Sequence, residues 1–291
     1  PDALVAGGGS SDNFTTPTHG ETKVNEWYLE IEAPLLKNVP GARELELDAA
    51  IRQSDYSGGG FSNGTFLTNN PGKPSTAKYS LRWKPFDDLL LRATWGQTFR
   101  APSVNDLYGG GSENFPQATD PCNTTNWGNL GAGGRNQCMA QGVPNGGYAQ
   151  QNTQIRALSG GNPFLKPEHG RDFTAGFVWS PSFDMLKGFN LTVDYWRIKL
   201  ADILTGFGAQ DMLNKCYGFA GETQDLTYCN FVPRNAAGVP TGIVTTQFNL
   251  AKLMTDGVDI GATYKRETAW GTFGAKWDST YTNAFKSSTG G

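Results

Sequence analysis

Along much of this chain hydrophobic and polar residues alternate one for one, the period of a β-strand whose two sides meet different surroundings. The pattern is clearest over residues 78–107. Tyr79, Leu81 and Trp83 share one face, while Lys78, Ser80, Arg82 and Lys84 share the other. Pro85-Phe86-Asp87-Asp88 supplies a polar turn, after which Leu89, Leu91, Ala93 and Trp95 fall opposite Arg92, Thr94 and Gly96. This predicts a long hairpin with one greasy and one charged face. Residues 23–36 repeat the pattern, with Trp27, Leu29 and Ile31 opposite Glu26, Glu30 and Glu32. So do residues 43–56, with Leu45, Leu47 and Ile51 opposite Glu44, Glu46 and Asp48. Further strands are expected over 171–180, from Phe189 to near Ala201, over 258–264 and over 273–281, making roughly eight in all.

The connections sort into two kinds. Short turns near Pro40, Asp87, Phe183 and Thr268 alternate with long segments at 57–75, 101–170 and 201–249. In an antiparallel meander alternate connections lie at opposite ends, so every short turn falls on one rim and every long loop on the other. That asymmetry is the pattern of an outer-membrane barrel, whose charged strand faces line the lumen and whose greasy faces meet lipid. A soluble β-rich binding module, lectin-like in its loops, is the alternative, and a passive outer-membrane porin is a third reading.

Composition narrows this little. The chain has 291 residues, 37% hydrophobic and 18% charged, with a formal net charge of -3. No run approaches the ~20 apolar residues of a membrane helix, which excludes helical spanning but not a barrel. The near-neutral charge gives no reason to expect a nucleic-acid partner. The first twenty residues are rich in Gly, Ser and Thr and read as a surface loop. They carry no leader-like charged and apolar regions, so either a leader has been removed or, as we expect, the chain begins inside a longer protein.

Candidate chemistry is sparse. His19 and His169 lie in loop-like contexts without a ligand cluster, no nucleophile sits in a catalytic setting, and neither cofactor, metal nor enzyme activity is expected. Gly58–Gly60 and the Gly131-Ala132-Gly133-Gly134 stretch read as flexible loop. Cys122 and Cys138 lie in the longest loop, Cys216 and Cys229 in the next. Two local disulfides are the natural pairing at a cell surface, although four cysteines allow three connectivities and cross-loop pairing stays open. Tyr108, Phe115, Trp127, Tyr148, Phe207 and Tyr217 sit among loop Asn, Gln and Gly, the mixture that binding surfaces use, and are the candidate ligand contacts. On the expected lumen wall the first two strands are acidic and the next two basic. Glu44 and Glu46 should lie level with Lys84 and Arg82, with Arg92 on the next strand, whereas Glu30 and its neighbours face the carboxylates of the second strand and call for cations from elsewhere.

Three motifs also carry a resemblance. Gln97-Thr98-Phe99-Arg100-Ala101-Pro102-Ser103 with Asp106-Leu107-Tyr108, then Gly161-Asn162-Pro163-Phe164-Leu165-Lys166-Pro167-Glu168, then Thr255-Asp256-Gly257-Val258-Asp259 resemble, in order and spacing, the barrel motifs of TonB-dependent outer-membrane receptors. The resemblance implies an all-β antiparallel transmembrane barrel of about 22 strands, plugged by an N-terminal domain, to which this chain contributes a middle portion as one barrel domain over 1–291. It further implies a receptor in the outer membrane of a Gram-negative bacterium, in contact with outer-membrane lipid. Such a receptor imports a scarce small-molecule or oligosaccharide ligand with energy relayed by the TonB complex through a plug segment. That plug, and the aromatic closing strand of the family, are expected outside this chain.

Overall fold

A computed structural model describes residues 12–62 and 64–289. Eight long strands form an antiparallel meander: β1 (Gly20–Val39), β2 (Ala42–Ser62), β4 (Ser75–Phe86), β5 (Leu89–Arg100), β8 (Glu168–Trp179), β9 (Phe189–Gly206), β10 (Ile243–Thr268) and β11 (Gly271–Ser288). Three short strands lie off this wall: β3 (Thr65–Gly72), β6 (Ser112–Asn114) and β7 (Ala157–Gly160). All four connections at one rim are short, three of them two-residue turns. Between β1 and β2, Pro40 fixes its own φ and Gly41 takes the positive φ of 79° that the turn requires. Two-residue turns at Asp87-Asp88 and Ala269-Trp270 close two more hairpins, and residues 180–188 join β8 to β9.

The greasy faces stay in the open. Tyr79, Leu81 and Trp83, in the middle of the wall with strands on both sides, remain 55%, 37% and 37% exposed. A soluble sheet would bury such a band, and a membrane wall presents it to lipid. No helix among the described residues is long and apolar enough to cross a membrane. The buried core lies instead in the long connections at the other rim, so burial is inverted: the loops are packed and the strands are bare.

Those connections are more ordered than their composition suggests. Of residues 57–75, expected as a loop, 57–62 continue β2 and 65–72 form β3 folded back on it, because backbone pairing persists through Gly58–Gly60. The long loop contains the helices α1 (Val104–Tyr108) and α2 (Ala132–Ala140), and the next contains α3 (Ala209–Tyr217). Gly131 caps α2, so the glycine-rich stretch taken for flexible loop opens a helix. β10 begins at Ile243, fifteen residues before the alternation shows it, since its upper end pairs in parallel with β7 and has no lipid-facing side to impose a pattern. His169 lies in β8, and His19 sits edge-on to Phe61, 5.5 Å between ring centres. The expected loop at the start of the chain falls largely outside the described residues. Within it, Phe14 and Thr16 bond to the backbone around β6.

Candidate functional site

The inner wall comes first, because its register follows from the hairpin turns. Glu44 pairs with Lys84 and Glu46 with Arg82 across β2 and β4. The closest contact is diagonal, with Arg82 Nε 3.5 Å from Glu44 Oε1. Arg82 stands opposite Arg92, and Arg92 is drawn across to β9, where Nε and Nη2 donate to Asp194 at 3.0 and 2.6 Å. The carboxylates of β1 are less crowded than the sequence pattern implies. Glu26 is ion-paired with Arg52 and accepts from Ser54 Oγ at 2.5 Å, Glu30 faces Ala50, and carboxylates stand directly opposed at Glu32 and Asp48. Of these carboxylates only Glu32 meets another directly across the pair, because Ser54 and Ala50 stand opposite Glu26 and Glu30.

At the loop rim two distant motifs build one latch against this wall. Ser103 caps α1, its hydroxyl accepting from the Asp106 amide while the Asp106 carboxylate accepts from the Ser103 amide. Arg100, the last residue of β5, donates to both carboxylate oxygens of Glu168 on β8 at 2.6 and 2.7 Å and lies 3.5 Å from Asp106. The 161–168 segment closes over the helix. The Asn162 amide donates to Asp106 carbonyl oxygen at 2.8 Å, Asn69 donates to the Pro163 carbonyl, and Leu165 packs on buried Leu107 and Tyr108. Tyr108 rests its ring on Gly20 and Gly60, partners across β1 and β2. A Cβ on Gly20 would come within 2.6 Å of that ring. The third motif is a packing device too. Gly257 leaves room for the Trp196 indole, whose Nε1 donates to Asp259 at 3.2 Å.

Above the latch the two long loops share one core. Cys122–Cys138 and Cys216–Cys229 bridge within their own loops. Between the loops lies a fully buried ion pair, with Arg234 Nη1 and Nη2 donating to the two oxygens of Asp120 at 2.6 and 2.8 Å. Every neighbour helps to satisfy it. Arg234 Nε donates to Tyr217 Oη at 2.8 Å, Tyr148 Oη donates to Asp120 at 2.8 Å, and the Cys122 amide donates to Asp120 at 2.9 Å. Tyr217 in turn donates to Gln141. Burial pushes the Tyr217 phenol up to about 12, and burial together with the Asp120 charge raises Tyr148. Burial alone would lower Arg234, but its hydrogen bonds to Asp120 outweigh that and hold it above the ordinary guanidinium range.

This canopy absorbs most of the aromatic residues that the sequence nominates for ligand contact. Tyr108, Phe207 and Tyr217 are buried, while Trp127 and Tyr148 pack half-buried against the core. Lys215 lies 4.9 Å above the Phe207 ring and donates to Glu222. Phe115 alone of the six presents its ring openly. The open space lies elsewhere, in a cleft of about 740 Å³ between the start of the chain, the β2–β3 tip and the β6–β7 pair. Phe14, His19, Phe61, Arg156 and the backbone of Gly109–Gly111 line it, with Arg156 tied to Glu113. Sequence reasoning missed this cleft because glycine backbone carries no side-chain signal.

Comparison with known proteins agrees with the architecture. A family model described as TonB dependent receptor-like, beta-barrel, matches residues 3–291. The chain belongs to the TonB-dependent receptor family. No curated relative matches the sequence. Among solved structures, the Serratia marcescens hemophore receptor HasR, in complex with its hemophore HasA and heme, aligns with a TM-score of 0.50 at 15% identity over 91% of this chain and 34% of its own. The FrpB iron transporter from Neisseria meningitidis gives 0.43 at 12% identity over 91% and 27%, and the siderophore receptor PirA from Acinetobacter baumannii 0.41 at 14% over 92% and 35%. The chain thus spans about a third of the length of these structures. As a TonB-dependent receptor barrel it resides in the Gram-negative outer membrane.

Proposed function

We propose that this chain forms wall and extracellular canopy of a ligand-gated importer, which binds a scarce small molecule in the cleft beneath the canopy and admits it with energy from the TonB complex. The observation that carries this reading is the canopy itself. A passive pore gains nothing from two disulfides and a buried ion pair holding its outer loops, whereas a binding site must be held in shape. Phe115 and the cleft residues His19, Phe61 and Arg156 are the contacts we assign to ligand. The inner-wall charges Glu30, Glu44 and Glu46 meet cations of a plug domain, answering the acidic half of the wall. In planar bilayers the full-length receptor should then be nearly closed, and replacing all three glutamates with Gln should raise its conductance or make the plug unfold at lower urea. A steadily open wild-type pore would support a passive porin and overturn the importer. A closed wild type that the triple variant leaves unchanged would instead reduce these carboxylates to solvated wall residues.

A further inference from the structure

The cysteines of the canopy mark the surface on which its two loops meet. Asp120, which takes Arg234 of the second loop, stands two residues before Cys122, and the Cys122 amide itself donates to it at 2.9 Å. Gln141, three residues after Cys138, accepts from Tyr217 Oη and donates through Nε2 to the carbonyl oxygens of Cys229 and Val232, both at 3.4 Å. Tyr217 directly follows Cys216, and Arg234 Nη2 comes within 3.3 Å of the Cys122 sulfur. Each of the four cysteines is thus at, or within three residues of, a hydrogen bond that joins the loops.

Covalent and non-covalent ties are nevertheless kept apart. Both bridges close inside one loop, over 16 and 13 residues, and among the described residues no covalent bond joins one loop to the other. Each loop can therefore make its own bridge without its partner, whereas the docking contacts need both. The order matters at the ion pair. Two charges leave water there, which is tolerated only where the geometry is already set, and the bridged turn at Cys122 sets it by holding Asp120. Burial points to the same order. Cys122, Cys138 and Cys216 are fully buried and Cys229 is 7% exposed, so no protein-sized oxidant reaches a thiol once the loops have docked. Disulfide exchange needs the attacking sulfur to touch the disulfide it attacks.

We propose that each loop is oxidised before the barrel is inserted and while it stands apart from the other, as the substrate of a dithiol–disulfide exchange protein of the periplasm, and that docking of the bridged loops through Arg234 and Asp120 closes the canopy afterwards. In each loop one cysteine thiolate attacks the oxidant's disulfide, forming a mixed disulfide and freeing one oxidant thiol. The second cysteine then attacks the mixed disulfide at the chain's own sulfur and closes the bridge. The oxidant leaves as a dithiol that carries both electrons and takes up the two protons. The periplasm is the compartment that supplies such an oxidant. The assignment rests on the part of the functional reading that puts the canopy outside the cell, and not on import.

The test is a pulse-labelled chase of the full-length receptor in its own cells, quenched with acid and with a maleimide that adds mass at each free thiol. Chains not yet inserted, recognised by their lack of heat-modifiable gel mobility, should already carry both bridges and take up no maleimide. Cells without the periplasmic dithiol oxidant should accumulate chains with all four thiols free. In the variant Asp120→Ala with Arg234→Ala, which removes both charges together, the bridges should form at the wild-type rate and between the wild-type partners, while protease added to intact cells cuts the canopy of the inserted receptor. The variant Cys122→Ala with Cys138→Ala should insert with normal heat-modifiable mobility and be cut in the same way. Free thiols in uninserted wild-type chains, bridges that form unslowed without the oxidant, slower oxidation or a peptide linking Cys122 to Cys216 or Cys229 in the Asp120/Arg234 variant, or a protease-resistant canopy without the Cys122–Cys138 bridge would each overturn the order. Canopy cleavage that appears only in permeabilised cells would instead refute the outward placement, with the thiol counts still deciding the order.

Discussion

Arg234 shows how much one residue can hold. It joins the second long loop to Asp120 of the first, and its charge is shielded from water on every side. Removing one partner of such a pair strands the other as a buried, uncompensated charge, which costs about 3–5 kcal/mol. Arg234→Ala should therefore make the canopy cleavable by added protease while the strands stay protected, and Arg234→Lys should rescue only in part, because an ammonium cannot span both carboxylate oxygens. Unchanged canopy cleavage would show the pair to be dispensable. Tyr217 gives the same network a pH signature. Its folded value near 12 lies above the ~10 of an unfolded tyrosine, so the stability it contributes is complete below pH ~10 and is lost as pH rises through about 12. Ultraviolet difference titration should find this tyrosine ionising as the canopy opens; ionisation near 10 without opening would contradict the burial. None of this was legible in the sequence, where Asp120 and Arg234 lie 114 residues apart. The cysteines were legible, because their spacing of 16 and 13 residues suits local bridges.

At the scale of elements, the wall was readable and the canopy was not, for one physical reason. A strand between lipid and lumen must change chemistry at every residue, and that period survives in the sequence as Leu45 against Glu44 or Phe173 against Asp172. The canopy faces no such divided surroundings, so α2 and the upper end of β10 leave no period to read. The motifs were visible as a family resemblance, yet their work became clear only in three dimensions, where Arg100, Asp106 and Glu168 meet around α1. That latch depends on glycine. Gly20→Ala should drive a methyl group into the Tyr108 ring and speed amide exchange in residues 103–109. Because both changes act on one contact, combining it with Tyr108→Ala should be no worse than Tyr108→Ala alone. Additive losses would mean that the ring does not rest on the glycines.

For the whole molecule, the exposed aromatic band and the packed loops describe one body partitioned between two solvents, lipid around the strands and water around the canopy. Its stability is correspondingly divided. The disulfides, each worth about 3 kcal/mol in the chain-entropy account, act on the canopy alone. The wall is held by ladder hydrogen bonds that lipid cannot replace. The sequence revealed this partition through its alternation and its sorted connections. Which aromatic side chains would be spent on packing was hidden, since Phe207 and Phe115 both lie among small and polar residues along the chain and the difference in burial comes from what folds over them.

β10 belongs to both halves. Its 26 residues run unbroken from the parallel pairing with β7 at Ile243–Thr246 to the tight turn after Thr268, a span of about 85 Å at ~3.3 Å per residue. Its register against β9 slips twice, between Asn249 and Leu253, at the border of the two environments. Against β11 it slips once more, between Asp256 and Gly257, so the strand is a rod whose compliance is gathered between residues 249 and 257. Tension applied by anything seated under the canopy is delivered to one short stretch instead of being spread around the rim. Amide exchange along β10 should show the joint as a step: slow over residues 258–268, faster over 243–249, and faster again over 243–249 alone once Cys216–Cys229 is reduced. A uniform profile would mean that the rod has no joint and that canopy and wall yield together.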